Sequence, residues 1–339
     1  MSYGNTHTKL DAIRKYYDTL WSNYFWKEFV LKNEDKVDWY YLSSNSNITL
    51  DIIKDNPDKP WDWFMLSYNP NITWDIVKEN PDKPWGWYGL SKNPNITWDI
   101  IKDNPDKPWI WHSISSNPNI TLDIIKDNPD TPWNLNAMSQ NPVVSVDIIK
   151  NNPDINWDWC MLSDNCNITW DIVKDNPDKP WDWFWLSNNP NITWDIIKNN
   201  PDKRWNWSYI SQNLNITWDI IKNNPDKPWN WFWLSNNPNI TWDIIKNNPD
   251  IPWNWRGISR NPNITFDIIQ DNPDEYWDWK ELSSNPFTKQ KELFLEEQFR
   301  KHNAAFKIQT YWRRANYNPE YLLCKNRLMH ECDMLGIKD

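Results

Sequence analysis

Apolar and polar positions alternate along this chain in a block of 24 residues that recurs from end to end of its central part. An apolar residue followed by Ser begins at Leu42, Leu66, Leu90, Ile114, Met138, Leu162, Leu186, Ile210, Leu234, Ile258 and Leu282. Three residues before each stands a Trp, from Trp39 and Trp63 to Trp279, with Leu135 the one substitute. A full unit reads WDWFMLSYNPNITWDIVKENPDKP, from Trp61 to Pro84. A fixed period of this length marks stacked supersecondary units, each unable to bury its apolar face alone.

Each unit predicts two short helices. Thr49, Thr73 and their equivalents precede an apolar residue, an Asp and two β-branched residues, the pattern of an N-cap followed by a first-turn carboxylate. This helix A is expected to run for about seven residues until Asn-Pro, as at Asn56-Pro57, stops it. Asp58 is expected to cap helix B, with Pro60 in its first turn and the helix covering Trp61 to Asn69. Neither helix is long enough to be stable in water, so stacking must stabilise both. The predicted fold is all-α, an α-solenoid of about eleven 24-residue repeats, each a pair of short helices. It occupies residues 33–288, between an N-terminal capping helix in 1–32 and a basic helical tail in 289–339.

Comparison among the repeats separates constant from variable positions. Trp63, Leu66, Ser67, Thr73, Ile76, Val77 and their equivalents barely change and read as the packing and capping skeleton. The column from Trp61 to Trp277 is Trp in every copy except Val37, and is also assigned to packing. Variation gathers two and one residues before the Leu and two after it. At about 100° per residue these offsets lie opposite the Leu, on the solvent face of helix B. They are either unconstrained surface or a recognition stripe. Tyr40, Tyr41, Phe64, Met65, Phe184, Trp185, Tyr209, Phe232 and Trp233 are the candidate partner-binding residues, because exposed aromatics in a row mark a binding surface.

Charge narrows the partners. The net charge is -10; from Lys289 onward ten Lys/Arg face seven Asp/Glu, leaving residues 1–288 at -13. An acidic body repels phosphate backbones and favours protein partners over nucleic acid. An RNA-reading solenoid is the alternative it opposes. Four Cys, no apolar leader and no apolar run of membrane length suggest an intracellular, non-secreted protein with no membrane span.

Catalytic and metal motifs are missing. Five Gly in the whole chain leave no phosphate loop or calcium loop, and the repeats offer near-equivalent positions where an enzyme needs a unique constellation. No enzyme activity, cofactor or metal is expected. Cys324, His330 and Cys332 supply three zinc-type ligands without a fourth. Nine Asn-Ile-Thr triplets, such as that beginning at Asn71, are formal glycosylation sequons, better explained as turn and cap.

The motifs LSxNPNIT and IIKxNPD resemble the leucine-rich variant repeat, which implies alternating short helices. Repeats rich in Asn, Asp, Ile and Lys before an IQxxWRR segment resemble tandem-repeat proteins of giant DNA viruses, implying a location in host cytoplasm or virion. Ala304 to Asn318 is similar to an IQ motif, implying a calmodulin-like partner for Ile308, Gln309, Trp312, Arg313 and Arg314. Arg314 stands in the family's glycine slot and Asn318 in its second basic slot. This basic helix fits an acidic groove on another protein or on the chain's own solenoid, the latter being favoured. The function expected is a non-enzymatic scaffold for protein–protein interaction, or an adaptor regulated through the tail.

Overall fold

The computed structural model describes the backbone of residues 4–317 and the side chains of residues 15–302. All regular structure in them is helical. The described residues up to 289 form one compact unit and those from 290 a second. The first holds the α-solenoid of eleven repeats.

Helix A follows the sequence pattern closely. Trp98–Asp103 begins after Thr97, whose Oγ1 accepts from Ile100 N, and six-residue copies recur from Leu50–Asp55 to Phe266–Asp271. Helix B is shorter than expected, four to six residues, as in Trp63–Leu66 and Trp87–Lys92. Its cap is not Asp58. Asp62, immediately before Trp63, accepts from Met65 N, and Asp38, Asn134, Asn206 and Asp278 do the same in their copies. The Lys-Pro segment is a tight turn instead, with Trp61 N donating to Lys59 O at 2.8 Å, and Trp61 lies ahead of the helix with its Nε1 donating to Asn56 O at 2.9 Å. Most of that column is buried, Trp61, Trp85, Trp157 and Trp229 among its members, and Trp133, Trp205 and Trp253 are half-buried, which suits a packing role.

Neighbouring repeats are joined by side chains to backbone. Ser43 Oγ accepts from Asp62 N at 2.9 Å, and Asn69 Nδ2 donates to Ser43 O, Asn45 O and Ile48 O of the repeat before it. The second Asn of the motif, Asn71, donates to Ser46 O and Ile48 O. Most of these carbonyls are buried at or just past the end of helix B, where the helix ladder has ended, so the Asn69 amide, present in every repeat, satisfies them at each joint.

Repeat one and repeat eleven are joined by the same bonds. Asp38 N donates to Ser283 Oγ at 2.8 Å, Asn45 Nδ2 to Ser283 O and Asn285 O, and Asn47 Nδ2 to Pro286 O. A fixed step that returns to its start after eleven repeats makes a closed ring. Successive B helices approach each other most closely, Trp39–Ser43 and Trp279–Ser284 included. They therefore form the inner circumference, with the A helices outside. The buried Ser of each Leu-Ser pair between B helices, and on the outside the Trp that opens helix A packed on the Trp ahead of helix B two repeats on, make each repeat a wedge. Trp74 against Trp109 at 5.5 Å and Trp242 against Trp277 at 6.0 Å are two such pairs.

The N-terminal segment completes the ring rather than covering an open end. The helix Gly4–Phe25 runs into a helical turn, Trp26–Val30. Trp26 lies 5.8 Å from Trp61 and 6.3 Å from Trp39, matching Trp242 with Trp277 and Trp255. It thus stands where the first residue of an A helix belongs, and Phe29 beside it meets Trp279 at 6.2 Å and Phe287 at 4.7 Å. Residues before repeat one fill the A position of repeat eleven, whose own continuation departs at Phe287, with φ of 48°. After it the helix Thr288–Tyr317 runs into the second unit.

Candidate binding surface of the ring opening

The positions two before and two after the Leu sit on the B-helix surface opposite the core, and in a ring that surface turns toward the central opening. Eleven helices at the usual spacing of about 8–10 Å leave an opening roughly 15–25 Å across after side chains are counted. Interactions between distant repeats fit this geometry. Asp164 is exposed, yet protein around it raises its carboxyl above the usual range, while the Lys92 ammonium, three repeats away, pulls it back down. Burial raises the Tyr68 phenol, with Tyr88 and Tyr40 from the flanking repeats adding to it.

The candidate residues divide by slot. Tyr40, Phe64, Tyr88 and Phe184, all two before the Leu, are exposed, as is Tyr68 two after it. Phe232 is half-buried. The slot one before the Leu is not a solvent position as expected: it lies between adjacent B helices. Ala137, Gly257 and Glu281 are buried there, and Tyr41, Met65, Trp185, Tyr209 and Trp233 are half-buried. A helix only one turn long, with a neighbour on each side, has a narrower free arc than an isolated cylinder.

The structure gathers the candidates into two sectors. Tyr40, Tyr41, Phe64 and Met65 run through repeats one and two, and two aromatics not among the candidates, Tyr68 and Tyr88, extend the sector, with Phe64 and Tyr68 5.8 Å apart and Tyr68 and Tyr88 6.4 Å apart. Phe184, Trp185, Tyr209, Phe232 and Trp233 run through repeats seven to nine, with Phe184 3.7 Å from Tyr209. On a ring of eleven these sectors face each other. Between them lie a polar wall, including His112, Asn136, Gln140 and Asp164, and a basic wall with Arg256, Arg260 and Lys280. That basic wall was not singled out in the sequence, although two of the few arginines in the repeats flank one Ile258.

The other candidate chemistry is structural. Burial and the neighbouring Asp182 push the Cys160 thiol up, which disfavours a nucleophilic thiolate. Sequon asparagines such as Asn71 and Asn95 spend their Nδ2 on carbonyls of the preceding repeat. No cluster of metal-ligating groups occurs among the described residues, and no helix among them is long and apolar enough to cross a membrane. The zinc-type string Cys324, His330 and Cys332 lies outside the described residues. The backbone of the IQ-like segment is helical to Tyr317, but the side chains of Ile308, Gln309, Trp312, Arg313 and Arg314 lie outside the described residues.

No protein-family model, no curated protein and no solved structure matches the chain.

Proposed function

We propose that this chain is a non-enzymatic scaffold, virus-encoded as its resemblances imply, that holds a protein partner at the opening of its ring. The observation that carries this reading is the division of labour within each repeat. The skeleton of Leu, Ser, Asn and Trp is held constant, while diverse side chains are concentrated on one surface that the closed ring turns inward. Aromatic side chains at such positions supply large contact area at low entropic cost. The acidic remainder of the body disfavours RNA as the partner.

Simultaneous Ala substitution of Phe184, Trp185, Phe232 and Trp233 tests it. Helical circular dichroism is expected to persist while partner capture from native cells, read by mass spectrometry, is lost. Retention of the same captured partners by the variant would remove the opening as the binding surface.

A further inference from the structure

Repeat ten differs from the others in charge. Arg204, Arg256 and Arg260 are the only arginines between residues 33 and 288, and two of them flank Ile258 on one B helix. Their Nε atoms converge on one carboxylate: Arg256 lies 2.7 Å from Glu281 Oε1 and Arg260 3.5 Å from Oε2. The Glu281 side chain is 6% exposed, against 61% and 43% for the two arginines. A buried anion thus holds both guanidiniums through Nε while the two arginine side chains stay exposed.

Arg256 also lies over the Phe232 ring, 5.8 Å from its centroid, and Lys280 stands exposed one repeat on. Three cations face two carboxylates, Glu281 and Asp278, the second of which also acts on Arg256. Guanidiniums held side by side repel each other, and the two carboxylates leave one of the three positive charges uncompensated. An incoming carboxylate would meet preorganised forked donors whose geometry matches it.

We propose that Arg256, Arg260 and Lys280 form a carboxylate-binding site on the wall of the ring opening, occupied by acidic side chains of an extended segment of the protein partner. This rests on the scaffold reading above and specifies its ligand. A polyanion would need many phosphate contacts, which the acidic body denies it, whereas a peptide carboxylate needs only this cluster. One repeat spans about 8–10 Å, or about three residues of extended chain. An apolar side chain about three residues from the acid therefore reaches the Phe232 sector.

The full chain is titrated with a fluorescein-labelled peptide carrying two adjacent glutamates and a tryptophan at that spacing. A glutamine version and a uridine oligonucleotide are run beside it. The acidic peptide is expected to bind, the glutamine peptide to bind at least about tenfold more weakly, and R256Q/R260Q to lose a similar factor for the acidic peptide. Lys280→Glu, a change at an exposed position, is expected to weaken binding even if the double variant misfolds. The site is overturned if the acidic peptide does not bind, if either variant binds it as the parent does, or if the oligonucleotide binds more tightly. Should the aromatic variant lose partner capture while R256Q/R260Q keeps full peptide binding, the arginine site fails and the scaffold reading stands. Should neither set of changes affect binding, both fail.

Discussion

The Asp38 amide donates to Ser283 Oγ at 2.8 Å across 245 residues, and the Asp62 amide makes the same bond to Ser43 at 2.9 Å across 19. The two bonds are one interaction repeated around a circle. An open array is stabilised by a sum of neighbour interfaces and frays at its ends. Closure gives every repeat two neighbours, so the final joint controls both stability and shape.

That joint depends on Phe29. The ring is 1% exposed and lies 5.4 Å from Phe266 and 4.7 Å from Phe287. Phe29→Ala is expected to cost about 3–5 kcal/mol in denaturant unfolding and to enlarge the radius of gyration in X-ray scattering as the ring opens. Ile149→Ala, inside the array, is expected to cost about 2–5 kcal/mol without that expansion. Equal scattering from both variants would show that the N-terminal segment does not hold the ring shut.

The helix pairs were legible because their caps and stops are local: Thr49, Asp51 and Asn56-Pro57 act within one turn. The ring was not, because closure depends on the angle between repeats, which emerges from packing. Val37 carried a signal all the same. It is the only residue other than Trp in its column, and it stands at the joint where Trp21, Phe25 and Phe29 surround Phe266. In the sequence the Asn69 column marks only the end of helix B, since nothing local reveals that its amide reaches carbonyls 21 to 26 residues back. The aromatic candidates were found from their variability. Their two facing sectors required the ring.

Loss of one Asn amide should be costly. Asn141 Nδ2 donates to Ser115 O, Asn117 O and Ile120 O, and its Oδ1 accepts from Val143 N. Asn141→Ala is expected to cost about 3 kcal/mol or more in chemical denaturation, because each orphaned buried group costs about 1–3 kcal/mol. Asn141→Asp would set a carboxylate against carbonyl oxygens, raising its folded pKa above the unfolded value of about 3.9. Its unfolded state then releases a proton that the folded state holds, so stability should fall as pH rises from about 4. A pH-independent Tm difference from the parent would contradict this.

Proximity of Lys92 to Asp164 is a direct test of the opening, because the two stand three repeats apart. Burial raises the Asp164 carboxyl and the Lys92 ammonium opposes it. Lys92→Met is expected to move the Asp164 pKa, read by carboxyl NMR, further up. The raised folded pKa also means that ionised Asp164 opposes folding. Asp164→Asn should therefore raise Tm near neutral pH and lose that advantage below about pH 3.5, where the unfolded carboxyl is protonated too. An Asp164 titration indifferent to Lys92 would place the two side chains out of reach.

Spacing of the inner helices is set by the residue before the Leu. A Cβ on Gly257 would stand 2.4 Å from Phe232 O, well inside contact distance. Gly257→Ala is expected to destabilise by about 1–3 kcal/mol through forced separation of the two B helices. Since Arg256 and Arg260 flank this glycine, the same change should loosen their grip on Glu281 and weaken acidic-peptide binding. Unaltered unfolding by the Ala variant would mean that the joint has slack.

The outer circumference can be tested in the opposite direction, by filling it. Where helix A begins with Trp the ring packs at a tilt against a Trp further along, as Trp98 does against Trp133 at 5.1 Å and Trp218 against Trp253 at 5.7 Å. The joint at Trp74 retains a cavity of about 260 Å³. At Leu50 the corresponding cavity is about 410 Å³, lined by Ile53, Pro57, Trp61, Trp63 and Ile72, and the one following Val146 is about 420 Å³. Of these three cavities the two larger lie where helix A begins with Leu50 or Val146 in place of Trp. Leu50→Trp is therefore expected to reach toward the buried Trp85 and raise stability by about 0.5–2 kcal/mol, as cavity-filling changes do. Val146→Trp should add a similar amount, and because the joints are far apart the double variant should show the sum. A loss of stability in either would mean that these joints are narrower than the wedge geometry requires, and that curvature is distributed unevenly around the ring.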